Sequence, residues 1–491
     1  MPSERNSRRK SSHENIRADV VVIGGGGGLA AAVAAAEKGV SVLLLEKRKK
    51  VGGNIALANG FMAAESPVQR RLKIDARKKD IFEKAMSYSH WQVDPRIIHA
   101  VVDKSGDTVR WLEEMGVAFM DVPHYYYNQF PRTYHMPKGH GAGLTRALLA
   151  KCEMLGVKVL CETVATRILT DEAGAVSGVV AGGRRGDLRI DTRSVIIATG
   201  GYSGNRDLLK THYPRYTENL RLYGLPNMGD GLQLASQVGA ATEGLGTVLT
   251  MGPLFDGSLY LNAVAVESNT LWVNSRGERF MNEASEIPAE TANALDRQPG
   301  KVSFSLFDEA IKRGFMEEGL VKAVDAVHFP SSMKMTKLDE YLKKAVRTGK
   351  ARIASSWGEI AAWIGTDHAK LDSTVNEYNT YCAQYCDNTF YKDPRFLQPL
   401  RTPPFYALRC CQGFHGTIGG IKINQRMEVV NSEDTLILGL FAMGNDTGGW
   451  VSDTYYYVIP GTALSFALNS GRIAGENAAA YASARSSSSE D

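Results

Sequence analysis

Apolar residues occur in this chain first as short unbroken runs and later as helical stripes. Val20–Ile23, Val42–Leu45, Val195–Ile197 and Leu436–Met443 are runs of the kind found in strands buried on both faces of a parallel sheet. Between the first two, alanine-rich Leu29–Glu37 predicts a helix that starts directly after Gly24–Gly28. Asp19–Glu46 therefore reads as strand, glycine turn, helix, turn and strand. Further along, Asp80–Met115 and Gly143–Leu155 have helical spacing, Val157–Cys161 and Val164–Leu169 read as strands, and Ser177–Ala181 with Leu188–Asp191 read as a hairpin. Leu232–Val238 predicts another helix.

From about Met251 to Phe414 the glycine loops disappear and the periodicity changes. Trp272–Asn274 is strand-like, and Arg279–Glu283 returns to sheet or core. Ser305–Leu320, Lys337–Lys344, Trp357–Ile364 and Leu371–Tyr385 read as helices. After Pro403 and Pro404, Gly416–Asn424 reads as a glycine turn into a strand, and Gly461–Ala480 as a closing helix. This pattern divides the chain into a disordered basic tail (1–17), a first domain segment (18–250), an inserted domain (251–414), a second segment of the first domain (415–482) and a loose serine-rich tail (483–491).

Composition narrows the function classes. The 491 residues are 44% hydrophobic and 22% charged, as in an ordinary globular protein with a large core. Of the net charge of +4, Met1–Arg17 supplies +3, so the remainder is near neutral and offers no nucleic-acid surface. No apolar run approaches the ~18 residues of a membrane span. Arg8-Arg9 lacks the apolar segment of an export signal, and six cysteines without a C-x-x-C pair suggest buried thiols in a reducing cytoplasm rather than a metal or iron–sulfur site.

The chemistry centres on the first turn. Five successive glycines bring backbone N–H groups and a helix N-terminus to one place, which suits a diphosphate. Glu46 follows Gly24 by 22 positions, where an acid hydrogen-bonds a ribose hydroxyl in a Rossmann-type dinucleotide fold. The loop is one residue shorter than G-x-G-x-x-G, which leaves open what each glycine does. Gly52-Gly53-Asn54 and Asn59-Gly60 give a flat ligand room to approach the backbone. Ala198-Thr199-Gly200, at the end of a buried strand, gives a second close approach, and Asn227-Met228-Gly229-Asp230-Gly231 opens a helix beside it.

Nine segments in this order, DVVVIGGGGG, EKRKKVGGN, ATGGYSGN, NMGDGLQLA, VNSRGERFMNE, LDSTVNEYN, TPPFYA, GTIGGIKIN and GLFAMGNDTGG…GRIAG, resemble the fumarate reductase/succinate dehydrogenase flavoprotein family, including its 3-ketosteroid dehydrogenase branch. The resemblance covers about Asp19–Tyr481. It implies an α/β fold: a Rossmann-type, glutathione-reductase-like FAD-binding domain made from both chain ends, with an inserted α+β capping domain and substrate at their interface. By position, it implies that Gly24, Gly26 and Gly28 line the diphosphate and that Glu46 lies at the adenosine ribose. Val164 or Ala165 would lie at adenine and Gly52, Gly53 and Asn54 along the flavin, with Lys47, Asn59 and Gly60 also among the cofactor-binding residues. Ala198, Thr199, Gly200 and Asp230 would complete the nucleotide site. Asn445 stands where the family often has Glu beside the ribityl chain, and Ala463 and Leu464 approach the pyrimidine edge. No histidine occurs in Gly52–Met62, where flavinylated members carry one, so the FAD is expected to be non-covalent.

The departures concern substrate. Dicarboxylate-reducing members carry an HPT histidine, an arginine in a TRD segment as proton donor, a histidine pair before TxGG, and an arginine before a late glycine. Here those places read Met251-Gly252-Pro253, Ile287-Pro288, His415-Gly416 and Val458–Gly461. Loss of both bidentate arginines argues against fumarate and succinate. Tyrosines stand in their place: Tyr455-Tyr456-Tyr457 near the late loop, and Tyr125–Tyr127 with Tyr134 earlier. Tyr134, Tyr455, Tyr456, Tyr457 and His415 are the candidate proton carriers, and Arg132 and His135 are open candidates. The expected reaction reduces or introduces a C=C bond adjacent to a carbonyl in an apolar, possibly steroid-like substrate, with an external electron donor or acceptor. An aryl acrylate held by Arg132 or Arg279, and a flavoprotein subunit of an electron-transfer complex, are the alternatives.

Overall fold

The computed structural model describes residues 14–125, 131–183, 186–322 and 328–487. Its central sheet has six strands, in the order Glu428–Val430, Leu436–Ala442, Ser194–Ile197, Val20–Ile23, Val42–Leu45 and Lys158–Leu160. Every residue of Val20–Ile23, Val42–Leu45 and Ser194–Ile197 is buried. The helices Gly28–Ala36 and Thr462–Ser487 pack on these strands, and the strands Val176–Gly183 and Thr163–Thr170 of a separate four-stranded sheet lie against them as well, so their apolar runs do not alternate. The parallel register puts Ile23, Leu45 and Ile197 at one sheet end, together with Ala442. The loops after these strands therefore converge. Strands from near residue 20 and near residue 440 lie only one strand apart, so both ends of the chain contribute to this sheet.

A second sheet is built around the 17-residue strand Phe405–Ile421. It pairs with Thr242–Phe255, Val302–Asp308, Ala351–Ala354 and Arg221–Leu222, while Leu271–Asn274 adds to the far side of Val302–Asp308. The expected domain borders at 250/251 and 414/415 fall inside paired strands and opposite one another: Thr250 pairs with Phe414 and Met251 with Gly413. The inserted segment is thus joined to the first domain by two continuous strands rather than by linkers.

Several expected elements differ. Glu14–Arg17 is a strand paired in parallel with Leu188–Asp191, so the end of the basic tail is ordered. The closing helix spans Thr462–Ser487, five residues into the expected loose tail. Asp80–Met115 is two helices, Lys78–Tyr88 and Pro95–Glu114, with Asp94 capping the second through Arg96 N–H. Ser305–Leu320 is the end of the strand Val302–Asp308 followed by the helix Glu309–Glu317, which Asp308 caps by accepting from Ile311 N–H at 3.0 Å. Gly416–Asn424 is not a turn into a new strand, because Phe405–Ile421 runs through it. Among the described residues no helix is long and apolar enough to cross a membrane, and no cluster of metal-binding side chains occurs. All six cysteines are free thiols.

Candidate active site

The converging sheet end, the glycine loop and the inserted domain enclose one cavity of about 1800 Å³. Sites for drug-sized molecules occupy roughly 300–1000 Å³. The space here suits a dinucleotide with a second small molecule beside it.

The structure assigns roles to the glycines that spacing left open. Gly24 has φ +111°, and a Cβ there would lie 2.2 Å from the Ala198 carbonyl oxygen; it makes the tight turn. Gly28, the first helical residue, does not line the cavity. A Cβ on it would lie 2.8 Å from Val22 Cγ1, so it lets the helix pack onto the sheet. Gly26 faces the cavity, opposite Gly53. Gly52, at φ +124°, shapes the facing turn without lining the cavity. Glu46 is buried; its Oε2 accepts from Gly25 N–H at 2.9 Å and its Oε1 from Arg48 N–H at 2.8 Å. The acid thus steadies the glycine loop as well as facing the cavity. Lys47 lines the cavity and hydrogen-bonds Asp230, at the start of the helix Asp230–Ser236. Ala165 and the more exposed Val164 both line the same end.

Asp446, which the sequence reading missed, does not line the cavity but positions a turn that does. It is buried and holds the Ala198–Gly201 turn: Thr199 Oγ1–H donates at 2.8 Å, Gly200 N–H at 2.8 Å and Gly201 N–H at 2.9 Å. Thr199 Oγ1 in turn accepts from Gly231 N–H at 2.9 Å, which ties this turn to the helix bearing Asp230. Burial pushes the Asp446 carboxyl above its ordinary value, and these bonds pull against that. An acid inside an otherwise uncharged glycine loop was the available signal, since a buried carboxylate needs such donors.

On the opposite wall, Asn54 clamps Leu225 at both backbone groups, donating to its oxygen at 3.1 Å and accepting from its N–H at 2.7 Å. Asn59, Gly60, Ala198, Gly200, Asn445, Ala463 and Leu464 all line the cavity. Gly60 has no room for a side chain because Tyr134 Cε1 and the His135 carbonyl lie against it. A cradle with turns that exclude side chains, and with acids anchored at a helix start and after the second strand, fits FAD. When bound, the flavin supplies hydride chemistry at this wall.

The candidate proton carriers separate. Tyr455 and Tyr457 line the cavity with rings 4.8 Å apart at 82°. The Tyr455 hydroxyl accepts from Ala463 N–H at 2.7 Å, at the start of the closing helix. Tyr457 is 6% exposed, and its hydroxyl has no partner among the described residues. Burial raises both phenols, so they are protonated at neutral pH. Tyr456, between them, points the other way: it is fully buried and packs on Tyr88, with ring centroids 5.7 Å apart, under an apolar layer that includes Met62 and Ile81. Unlike its neighbours, it does not line the cavity. Tyr134 lines the cavity beside Tyr125, with ring centroids 4.4 Å apart. Tyr126 and Tyr127 lie outside the described residues.

His415 opens to the cavity while protein walls it in, and this desolvation lowers its pKa. Its Nδ1 lies 2.7 Å from the Tyr223 carbonyl oxygen, an acceptor only. The neutral ring therefore carries its proton on Nδ1 and leaves Nε2 as an acceptor, which is the wrong form for a donor at neutral pH. His135 is buried away from the cavity, between Ser66 Oγ at 2.7 Å and the Thr133 carbonyl at 2.8 Å, where it anchors the segment bearing Tyr134.

Neither candidate arginine reaches the cavity. Arg132 bonds the Val122 carbonyl at 2.7 Å and Asp121 at 3.0 Å. Arg279 is buried in the inserted domain between Glu283 at 2.8 Å and Asp387 at 2.7 Å. The cavity wall contributed by the inserted domain carries Glu286, Ile287, Pro288, Glu290 and Lys322.

Comparison with known proteins agrees with this geometry. The family model described as FAD binding domain matches residues 19–456. The vinyl phenol reductase of Lactiplantibacillus plantarum is 34% identical over 469 residues, covering 90% of this chain and 92% of its own length. A fumarate reductase (cytochrome) of Shewanella frigidimarina is 28% identical over 448 residues, covering 90% and 73%. Among solved structures, the open conformation of a flavocytochrome c3 fumarate reductase superposes with TM-score 0.74 at 25% identity, covering 95% of this chain and 79% of that one. The 3-ketosteroid delta1-dehydrogenase of Sterolibacterium denitrificans shares the fold with TM-score 0.80 at 20% identity, covering 94% and 99%. The chain is an FAD-dependent oxidoreductase acting on CH–CH groups, and it belongs to the FAD-binding flavoprotein family that includes the fumarate reductases.

Proposed function

We propose that this protein reduces the C=C bond of a neutral, apolar substrate in which the alkene is conjugated with a phenol ring or a carbonyl, with FAD held non-covalently. The observation that carries the reading is the unpartnered hydroxyl of Tyr457, buried in a cavity that neither Arg132 nor Arg279 reaches. A protonated phenol held out of water can deliver its proton to an alkene carbon as hydride reaches the other carbon. Tyr455, engaged with Ala463 N–H, holds the Tyr457 ring and the start of the closing helix in place. Tyr125 and Tyr134 supply apolar ring surface. His415, neutral with Nε2 as acceptor, orients a hydroxyl rather than donating a proton.

The similarity to a vinyl phenol reductase supports an alkene on a phenol ring. The aryl acrylate alternative loses the two arginines on which it depended. The test is reoxidation of the reduced flavin by 4-vinylphenol, by a cyclic enone and by fumarate. We expect a response to the first or second and none to fumarate; turnover of fumarate alone would overturn the reading. Release of all yellow colour into the supernatant on acid precipitation would establish that the FAD is non-covalent.

A further inference from the structure

The charges on the inserted-domain wall of the cavity point beyond the reaction to the polar group that the substrate carries. Most cations lining the cavity are engaged by the protein. Lys47 bonds Asp230, Arg48 donates to the Pro226 carbonyl at 2.7 Å, and Arg395 pairs with Asp393 at 2.7 Å near the rim. Lys322 is half-buried where it lines the cavity, and its ammonium sits in the field of Glu267, Glu286 and Glu283. Behind it, fully buried Glu267 accepts from Val321 N–H at 2.8 Å and Lys322 N–H at 3.2 Å. Glu286 and Glu290 both face the cavity on this wall. Glu290 Oε2 accepts from Ser285 Oγ at 3.1 Å. Glu286 Oε2 is shielded from solvent and has no hydrogen-bond partner among the described residues.

This wall therefore has more carboxylate than ammonium and one acceptor oxygen unused. An entering carboxylate meets repulsion there, whereas a hydroxyl meets an acceptor whose desolvation cost is already paid by the fold. We propose that Glu286 determines specificity: it accepts a hydrogen bond from a neutral donor on the substrate, a phenolic or enolic hydroxyl, and disfavours substrates that carry a carboxylate. The proposal rests on the reading of this cavity as the substrate site, and it assigns the group that Glu286 takes.

The test is equilibrium binding to the oxidised, FAD-loaded protein, followed by flavin absorbance perturbation and by calorimetry. The probes are 4-ethylphenol and 4-ethylbenzoate, which share the ethylphenyl frame and carry no alkene. We expect the phenol to bind the native protein at least about tenfold more tightly, the scale of one hydrogen bond to a charged group. Glu286→Leu is expected to lose about tenfold on the phenol while binding the benzoate more tightly, with Glu286→Gln between. A purely structural role would weaken both ligands together. Equal binding of the two probes to the native protein, or unchanged affinities in both variants, would overturn the proposal; if a variant fails to retain flavin, the native pair decides. Failure of 4-vinylphenol turnover with the binding preference intact would count against the reaction and leave Glu286's role standing.

Discussion

Three successive tyrosines have three different surroundings, and activity should resolve them. Replacing Tyr457 by Phe removes the unpartnered hydroxyl and little volume. Turnover should fall by about 10²–10⁴-fold with FAD retained, the range for losing a general acid. Tyr456→Phe, altering a ring packed against Tyr88, should stay within a few-fold. Equal losses in the two variants, measured as the rate of reduced-flavin reoxidation, would remove Tyr457 from the chemistry. A second residue-scale prediction concerns His135. Desolvation lowers its pKa from 6.5 to about 4, and it accepts from Ser66 while donating to Thr133. The unfolded chain binds this proton more readily than the folded one, so stability rises with pH between these values. The contribution is complete above pH 6.5 and is lost as pH falls towards 4, a swing on the order of 3 kcal/mol for this residue. His135→Gln should flatten the denaturant midpoint across this window; an unchanged slope would mean that other groups govern acid sensitivity.

Among the elements, the contact between the helices Gly28–Ala36 and Thr462–Ser487 most directly couples the two chain ends to the cofactor cradle. A Cβ at Gly475 would stand 2.3 Å from the Ala31 carbonyl oxygen, and Gly471 lies against Met443 and Gly27. Gly475→Ala should overpack this contact by about 1–3 kcal/mol and lower the temperature at which flavin is released. An unchanged release temperature would show that the helices can separate without disturbing the glycine loop. Legibility also differed by element. Val20–Ile23, Val42–Leu45 and Trp357–Ile364 have the bounds that their apolar patterns predicted, because burial on both sheet faces or on one helix stripe leaves a plain signature. Val302–Asp308 is buried at every residue and so lacks alternation; joined to a helix with an apolar stripe, it reads as one longer helix. Phe405–Ile421 was equally illegible, since its glycines and cysteines suggest turns while its partners are remote in the sequence. The cradle was readable because glycine turns leave local marks. Glu286 and the opposite facings of Tyr456 and Tyr457 were not, because spacing does not encode the direction of a loop side chain.

Taken whole, the molecule has two large hydrophobic cores with continuous strands crossing between them. Phe405, Tyr406, Ala407 and Leu408 belong to the inserted domain's core, whereas Ile418 and Ile421 of the same strand belong to the core of the FAD-binding domain. The glycine cradle that would hold the flavin is built from residues near both ends of the chain, Gly26 and Glu46 with Asn445 and Ala463, so excess FAD should stabilise the core around that cradle more than the other. The inserted domain has its own buried charge network: Arg279 with Glu283 and Asp387, and Lys392 with Glu283 at 3.2 Å, packed against Tyr378 and Phe390. Arg279→Ala leaves buried Asp387 without its cation and Glu283 with Lys392 alone, a loss of about 3–5 kcal/mol. If the strands transmit little of that loss, calorimetry should show the inserted domain unfolding earlier while flavin remains bound and the second transition holds its temperature. The same variant should leave the affinity for 4-ethylbenzoate unchanged, since Arg279 does not line the cavity. Flavin release in step with the first transition would instead show that the crossing strands make the two cores one cooperative unit.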